Sequence, residues 1–162
     1  MLTCCVDANF AGDPTTLSSS YGYNCKIGNN TVSYRSKKLP KIALSTLNSE
    51  LLGAAESCRE VVYLRTFLDE LGHEQQGPTR VDEDNNSTVR VSENPCHSDA
   101  TKHIILKAAY VRELVQDKEV VMHLIPGNDN PADIFTKPLG PKKFERFAKM
   151  LCGEDNSNSP SQ

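Results

Sequence analysis

The residues of this chain best suited to chemistry are four carboxylates far apart in sequence, Asp7, Glu50, Asp84 and Asp133. Glu50 is the most anomalous. At about 100° per residue it falls beside Leu47, Ala54, Val61 and Leu68, on the apolar stripe of a segment with helical spacing. A buried carboxylate without a partner raises its pKa or costs several kcal/mol, so Glu50 must meet a cation, strong donors or water. Position alone favours a salt bridge at the exposed rim of the stripe. Asp7 and Asp84 end short apolar runs, and Asp133 lies in the first turn of a segment opened by Asn130 and Pro131. Taken singly, the two strand-end acids read as turn starters and Asp133 as a complement to a helix dipole.

The elements that would carry these acids follow from periodicity and turn chemistry. Residues 2–8 form a short apolar run, followed by Gly12, Asp13 and Pro14. Residues 21–27 and 31–36 flank Gly28, Asn29 and Asn30, which predicts a hairpin. A helix is predicted over 46–71, stopped by Gly72, then a strand over 78–83 and a short helix before Asn94. Helical spacing over 103–115, a β-branched run over 120–125 and a last apolar face at Phe144, Phe147, Ala148 and Leu151 complete the order. A meander followed by alternating helices and strands predicts an α/β fold with a mixed sheet covered by helices. We expect one domain over 1–152 and a polar, disordered tail over 153–162.

Composition narrows the function classes. The sequence carries 18 Lys+Arg and 21 Asp+Glu, a net charge of −3, so its overall field does not attract a polyanion. Nucleic-acid binding must therefore be local or metal-assisted. No apolar run approaches the roughly 20 residues needed to cross a bilayer, and the first residues lack a signal-peptide pattern. Cys4, Cys5, Cys25, Cys58, Cys96 and Cys152 show no paired metal-ligand spacing and read as free, mostly buried thiols. Cys96, His97 and His103 lack a fourth ligand, and the histidines are read as structural.

The words surrounding the acids resemble the ribonuclease H domain that ends copia-type retrotransposon Pol polyproteins. Residues 6–13, VDANFAGD, are similar to the family's SDADWAGD. Ser36-Lys37-Lys38 is similar to SSKKQ, and Ala43-Leu44-Ser45-Thr46 opens a block resembling ALSTAEAEY, with Glu50 on its second glutamate. Glu83-Asp84-Asn85-Asn86-Ser87 resembles CDNQS, residues 101–104 match TKHI, and residues 132–139 match ADIFTKPL. Asn9, Phe10, Asn48 and Leu51 depart from the family words, and Leu17-Ser18 stands where Arg and Lys are usual. None of these changes removes an acid.

The resemblance implies a ribonuclease H-like fold, with a five-stranded mixed sheet and helices on both faces. It also implies an acidic site of Asp7, Glu50, Asp84 and Asp133 that is both catalytic and metal-binding. Two Mg²⁺ ions, or Mn²⁺ in their place, about 4 Å apart would activate water and stabilise the leaving oxygen. The activity implied is endonucleolytic hydrolysis of the RNA strand of an RNA/DNA hybrid. Arg35, Lys37, Lys38 and Lys102 are local candidates for its backbone contacts, solvated surface residues being the default reading of such side chains. The implied partners are that hybrid and an upstream reverse transcriptase domain, the chain resembling a detached terminal piece. The implied setting is intracellular, in a cytoplasmic retrotransposon particle or the nucleus. Two rivals stand beside this reading, an inactive remnant that binds nucleic acid or protein, and a host structural protein using the fold without polyanions. If the charge balance and Leu17-Ser18 govern affinity, a salt-controlled binding assay will find the isolated chain holding hybrid only weakly. Nanomolar binding at physiological salt would contradict this.

Overall fold

The computed structural model describes residues 1–12, 15–39, 45–94 and 102–154. Its strands are β1 (Leu2–Asn9), β2 (Ser20–Ile27), β3 (Asn30–Lys38), β4 (Thr79–Glu83) and β5 (Val120–Leu124). Its α-helices are α1 (Thr46–Glu70), α2 (Asn86–Glu93), α3 (Lys102–Gln116) and α4 (Pro141–Leu151). The sheet order is β3-β2-β1-β4-β5. β1, β2 and β3 pair antiparallel, whereas β4 runs parallel to both β1 and β5. The expected five-stranded mixed sheet is therefore present.

Local chemistry explains the boundaries. Gly28, at φ +61°, makes the tight turn between β2 and β3. Ser45 caps α1 by accepting from the Asn48 amide at 3.2 Å, and Gly72, at φ +78°, terminates it beyond Leu71. Asn85 caps α2 by accepting from Thr88 N at 3.1 Å. The segment around Asp133 is a 3₁₀ helix (Pro131–Phe135), not the start of an α-helix. Asn130 does cap it, through a 3.1 Å bond from Ala132 N. At the start of the expected tail Gly153 turns at φ +76° and Glu154 N donates to Lys149 O, closing α4. The rest of that tail, residues 155–162, lies outside the described residues, as do Asp13, Ala43, Leu44, Cys96, His97 and Thr101.

Strand alternation separates the two faces of the sheet. Leu2, Cys4, Val6 and Ala8 of β1 join Tyr21, Tyr23 and Cys25 of β2 in a core closed by Ala54, Cys58, Val61, Leu64 and Leu68 of α1. Gly53 lets α1 come close, since a Cβ there would lie 3.3 Å from both Tyr21 Cβ and Val6 Cγ2. Asp7 and Gly22, paired across β1 and β2, point the other way, toward the 3₁₀ helix. On that face α4 is tied down where Lys26 Nζ and Thr31 Oγ1 donate to the carbonyls of Met150 and Leu151. Cys4, Cys5, Cys25 and Cys58 are buried free thiols, whereas Cys152 is exposed. No helix among the described residues is long and apolar enough to cross a membrane.

Gly22 is the contact that seats the 3₁₀ helix, because a Cβ at this position would lie 2.4 Å from Phe135 Cβ. Gly22→Ala must therefore displace Phe135 or the strand, at a cost of about 1–3 kcal/mol. Thermal unfolding should show a drop of several degrees. Gly77→Ala, where a Cβ would meet nothing within 4 Å, serves as the control and should leave stability within about 0.5 kcal/mol. Equal effects at the two positions would contradict this packing.

Candidate active site

The order of the sheet places the site. From β1 the chain steps to β2 on one side, while β4 lies on the other, so the gap beyond the carboxyl ends of β1 and β4 is a topological switch point. The β1–β4 pairing stops at Cys5 opposite Asp82. Asp7 thus stands beyond the last residue of β1 that pairs with β4, and Asp84 follows the end of β4. Glu50, one turn into α1, reaches the same place. Asp7, Glu50 and Asp84 each present a carboxylate oxygen within 4.8 Å of the others.

The three acids are held differently. Asp7 is 1% exposed and accepts from the Thr136 hydroxyl through one oxygen and from Lys137 Nζ, at 3.1 Å, through the other. Glu50 is 4% exposed, and its Oε2 is buried without a hydrogen bond to any described residue. The rim salt bridge expected from the helical stripe is therefore absent among the described residues; Glu50 is turned inward, against two other acids. Asp84 is half-buried and is approached by Gly127, whose absent Cβ would lie 2.9 Å from Asp84 Oδ2. Glycine lets the loop after β5 close over that carboxylate without pushing it aside.

Burial dominates the electrostatics. It lifts the Asp7 carboxyl to about 6 against the opposing pull of Thr136 and Lys137. It lifts Glu50 to about 8, aided by the negative charges of Asp7 and Asp84. Asp84 is also raised, first by burial, with Lys137 opposing. Glu83, fully buried below them, is pushed well up by burial and then by Glu50. Its Oε1 accepts from Asn85 N at 3.0 Å, while Oε2 has no described partner. Asp82, the remaining acid at this strand end, turns away to Arg80 at 2.6 Å and His123 at 3.0 Å.

Asp133 is brought near this centre but is not one of the three converging acids. Its two oxygens accept from Lys137 Nζ and Lys143 Nζ, both at 2.6 Å. Lys137 therefore bridges Asp133 to Asp7. Asn130 anchors the arrangement from inside, fully buried and donating to the Val6 carbonyl at 2.8 Å. Sequence reasoning passed over Lys137, Thr136, Lys143, Asn130 and Glu83 as site residues. The four-residue spacing of Asp133 and Lys137 is the local signal that could have pointed to one of these pairs.

The basic residues expected to contact a backbone lie on separate elements. Arg35, Lys37 and Lys38 belong to the edge strand β3, and Lys102 opens α3. Arg35 is half-buried, while Lys37 and Lys102 are exposed. His103 is exposed as well.

The donor set fits a hard divalent cation. Three carboxylates supply oxygens, and a buried oxygen of Glu50 has no other described partner to satisfy it. Without such a cation, the Glu50 shift makes stability depend on pH. The folded state keeps a proton that the unfolded chain releases above its ordinary value of 4.5, so stability falls as pH rises from there toward about 8. In chelator, Glu50→Gln should flatten this decline and raise the Tm at the alkaline end. A variant with the wild-type slope and a lower Tm would contradict the assignment.

Comparison with known proteins fits this geometry. The chain is 37% identical over 147 residues to the retrovirus-related Pol polyprotein from transposon TNT 1-94 of Nicotiana tabacum, covering 91% of this chain and 11% of that protein. It is 29% identical over 145 residues to the corresponding polyprotein from transposon RE2 of Arabidopsis thaliana, covering 90% of this chain and 10% of that one. The chain thus spans about a tenth of the length of these curated relatives. No protein-family profile matches it. Among solved structures, LC11-RNase H1 in complex with RNA/DNA hybrid superposes with a TM-score of 0.62 at 14% identity, over 84% of this chain and 94% of that one. RNase H1 from the archaeon Halobacterium salinarum gives 0.61 at 10% identity, over 83% and 93%. The foamy viral protease-reverse transcriptase in complex with RNA/DNA hybrid gives 0.57 at 13% identity, over 83% of this chain and 19% of that one. The chain is a homologue of a segment of the retrovirus-related Pol polyproteins of plant transposons, and its fold is that of ribonuclease H.

Proposed function

We propose that the chain is a metal-dependent endonuclease that hydrolyses the RNA strand of RNA/DNA hybrids. One observation carries the reading: Asp7, Glu50 and Asp84 converge within 4.8 Å at the switch point of the sheet, with a buried Glu50 oxygen lacking any described partner. Structural groups would be paired or neutralised at such a place. Three acids left facing one another instead suit a cation site. The hybrids bound by LC11-RNase H1 and by the foamy viral protease-reverse transcriptase support the choice of substrate.

In this reading Asp7, Glu50 and Asp84 hold the cation, Mg²⁺ or in its place Mn²⁺. When bound, it supplies the positive charge that activates water and offsets charge developing on the phosphate. Thr136 and Lys137 fix the Asp7 carboxylate, and Gly127 leaves room for Asp84. Asp133 acts through Lys137, not as a direct ligand. Lys142, Lys143, Arg146 and Lys149 of α4, beside Asp133 and Asp129, join exposed Lys37 as candidates for backbone phosphates. Such contacts position a substrate without reading its sequence. An upstream reverse transcriptase domain would add grip through effective concentration.

The absence of the usual basic pair at Leu17-Ser18, with Leu17 exposed, favours one rival, a remnant that binds without cutting. Cleavage of an end-labelled hybrid decides between them. The wild-type chain should cut the RNA strand in Mg²⁺ and stop in chelator. Asp84→Asn should reduce the rate by about 10²-fold or more while leaving the circular dichroism spectrum unchanged. Cleavage at the wild-type rate by Asp84→Asn would overturn this role for Asp84. Salt-sensitive hybrid binding without any cleavage would favour the remnant.

A further inference from the structure

Lys137 sits inside the acidic cluster. Its ammonium lies 3.1 Å from Asp7 Oδ1 and 2.6 Å from Asp133 Oδ1. Through Asp7 it adjoins the three acids that converge within 4.8 Å of one another. Bonded to a carboxylate on either side, the ammonium is a fixed positive charge inside the cluster. The remaining oxygen of Asp133 is taken by Lys143, whose ammonium also lies 5.3 Å from the ring centre of fully buried Phe147. Neither lysine is a loose surface charge, their side chains being 35% and 32% exposed.

The cluster consequently has two unlike halves. On the side of Glu50 and Asp84 the acids face one another, and a buried oxygen is unsatisfied. On the side of Asp133 both carboxylate oxygens are satisfied by ammonium groups. A second divalent cation between Asp7 and Asp133 would have to displace Lys137 or lie against its positive charge in a poorly solvated place. Mg²⁺ also demands near-octahedral oxygen geometry and gives up its waters reluctantly, which disfavours a crowded half-site.

We propose that Lys137 stands in for the second cation, so that the free protein takes a single divalent ion on Asp7, Glu50 and Asp84 with a fixed ammonium beside it. The inference rests on the metal-binding role given above to those three acids, and it refines the two-ion expectation drawn from the sequence. Lys137 is a positioning residue here. It neutralises Asp7 and Asp133 and sets the ion count.

Calorimetric titration of the full chain with Mn²⁺ tests this without reference to activity. The wild-type protein should bind one ion. Lys137→Met should bind two, with the second lost on adding Asp133→Asn, and its Tm in chelator should fall and recover on adding Mn²⁺. Lys137→Arg keeps the charge and should still bind one ion, which preserves the test if the Met variant folds poorly. Two ions on the folded wild-type chain would overturn the proposal, as would a Lys137→Met variant that binds one ion with unchanged affinity. Failure of every variant and of the wild type to bind any ion would instead overturn the metal site itself.

Discussion

Gathering Asp7, Glu50 and Asp84 within 4.8 Å of one another, mostly out of water, is unfavourable in the absence of counter-charge. The rest of the structure is arranged around that constraint. The α1 core, built from Ala54, Cys58, Val61 and Leu68 against β1 and β2, holds Glu50 where its own electrostatics would not. On the opposite face, the 3₁₀ helix after Asn130 brings Thr136 and Lys137 to Asp7. Hydrophobic burial thus offsets the repulsion on one side, and charge-assisted hydrogen bonds offset it on the other.

That division explains why the last third of the chain matters to a site whose acids lie earlier in sequence. Asn130 donates to the Val6 carbonyl, next to Asp7, and also caps the turn that carries Asp133. Gly22 makes room for Phe135, and Ser36 Oγ donates to the Phe135 carbonyl at 2.6 Å. The 3₁₀ helix is therefore fastened to β1, β2 and β3 before its side chains reach the cluster. Gly127, in the loop leading to it, can close on Asp84 because it has no side chain.

Most of this architecture was legible in the sequence. Periodicity marked the hairpin, the long helix and the alternating elements, because each is encoded by neighbours a few residues apart. Glu50 was also visible as an acid on an apolar stripe, though a stripe specifies a face and not what lies opposite it, so the inferred rim salt bridge was wrong. Asp84 could be told from Asp82 and Glu83 only by the family word, since all three occupy one strand end. Asp133 was placed in the right neighbourhood, but its pairing with Lys137 and Lys143 makes it a partner of the cluster rather than one of the converging acids. The bond from Lys137 to Asp7 spans 130 residues, and no local pattern encodes a contact of that range.

The central claim is that the three converging acids form a cation site. Anomalous diffraction from crystals of the chain grown with Mn²⁺ tests it most directly. A single anomalous peak bounded by oxygens of Asp7, Glu50 and Asp84, about 2.0–2.4 Å from each, is the predicted result. A site elsewhere on the chain, with Glu50 and Asp84 left facing only each other and water, would contradict it.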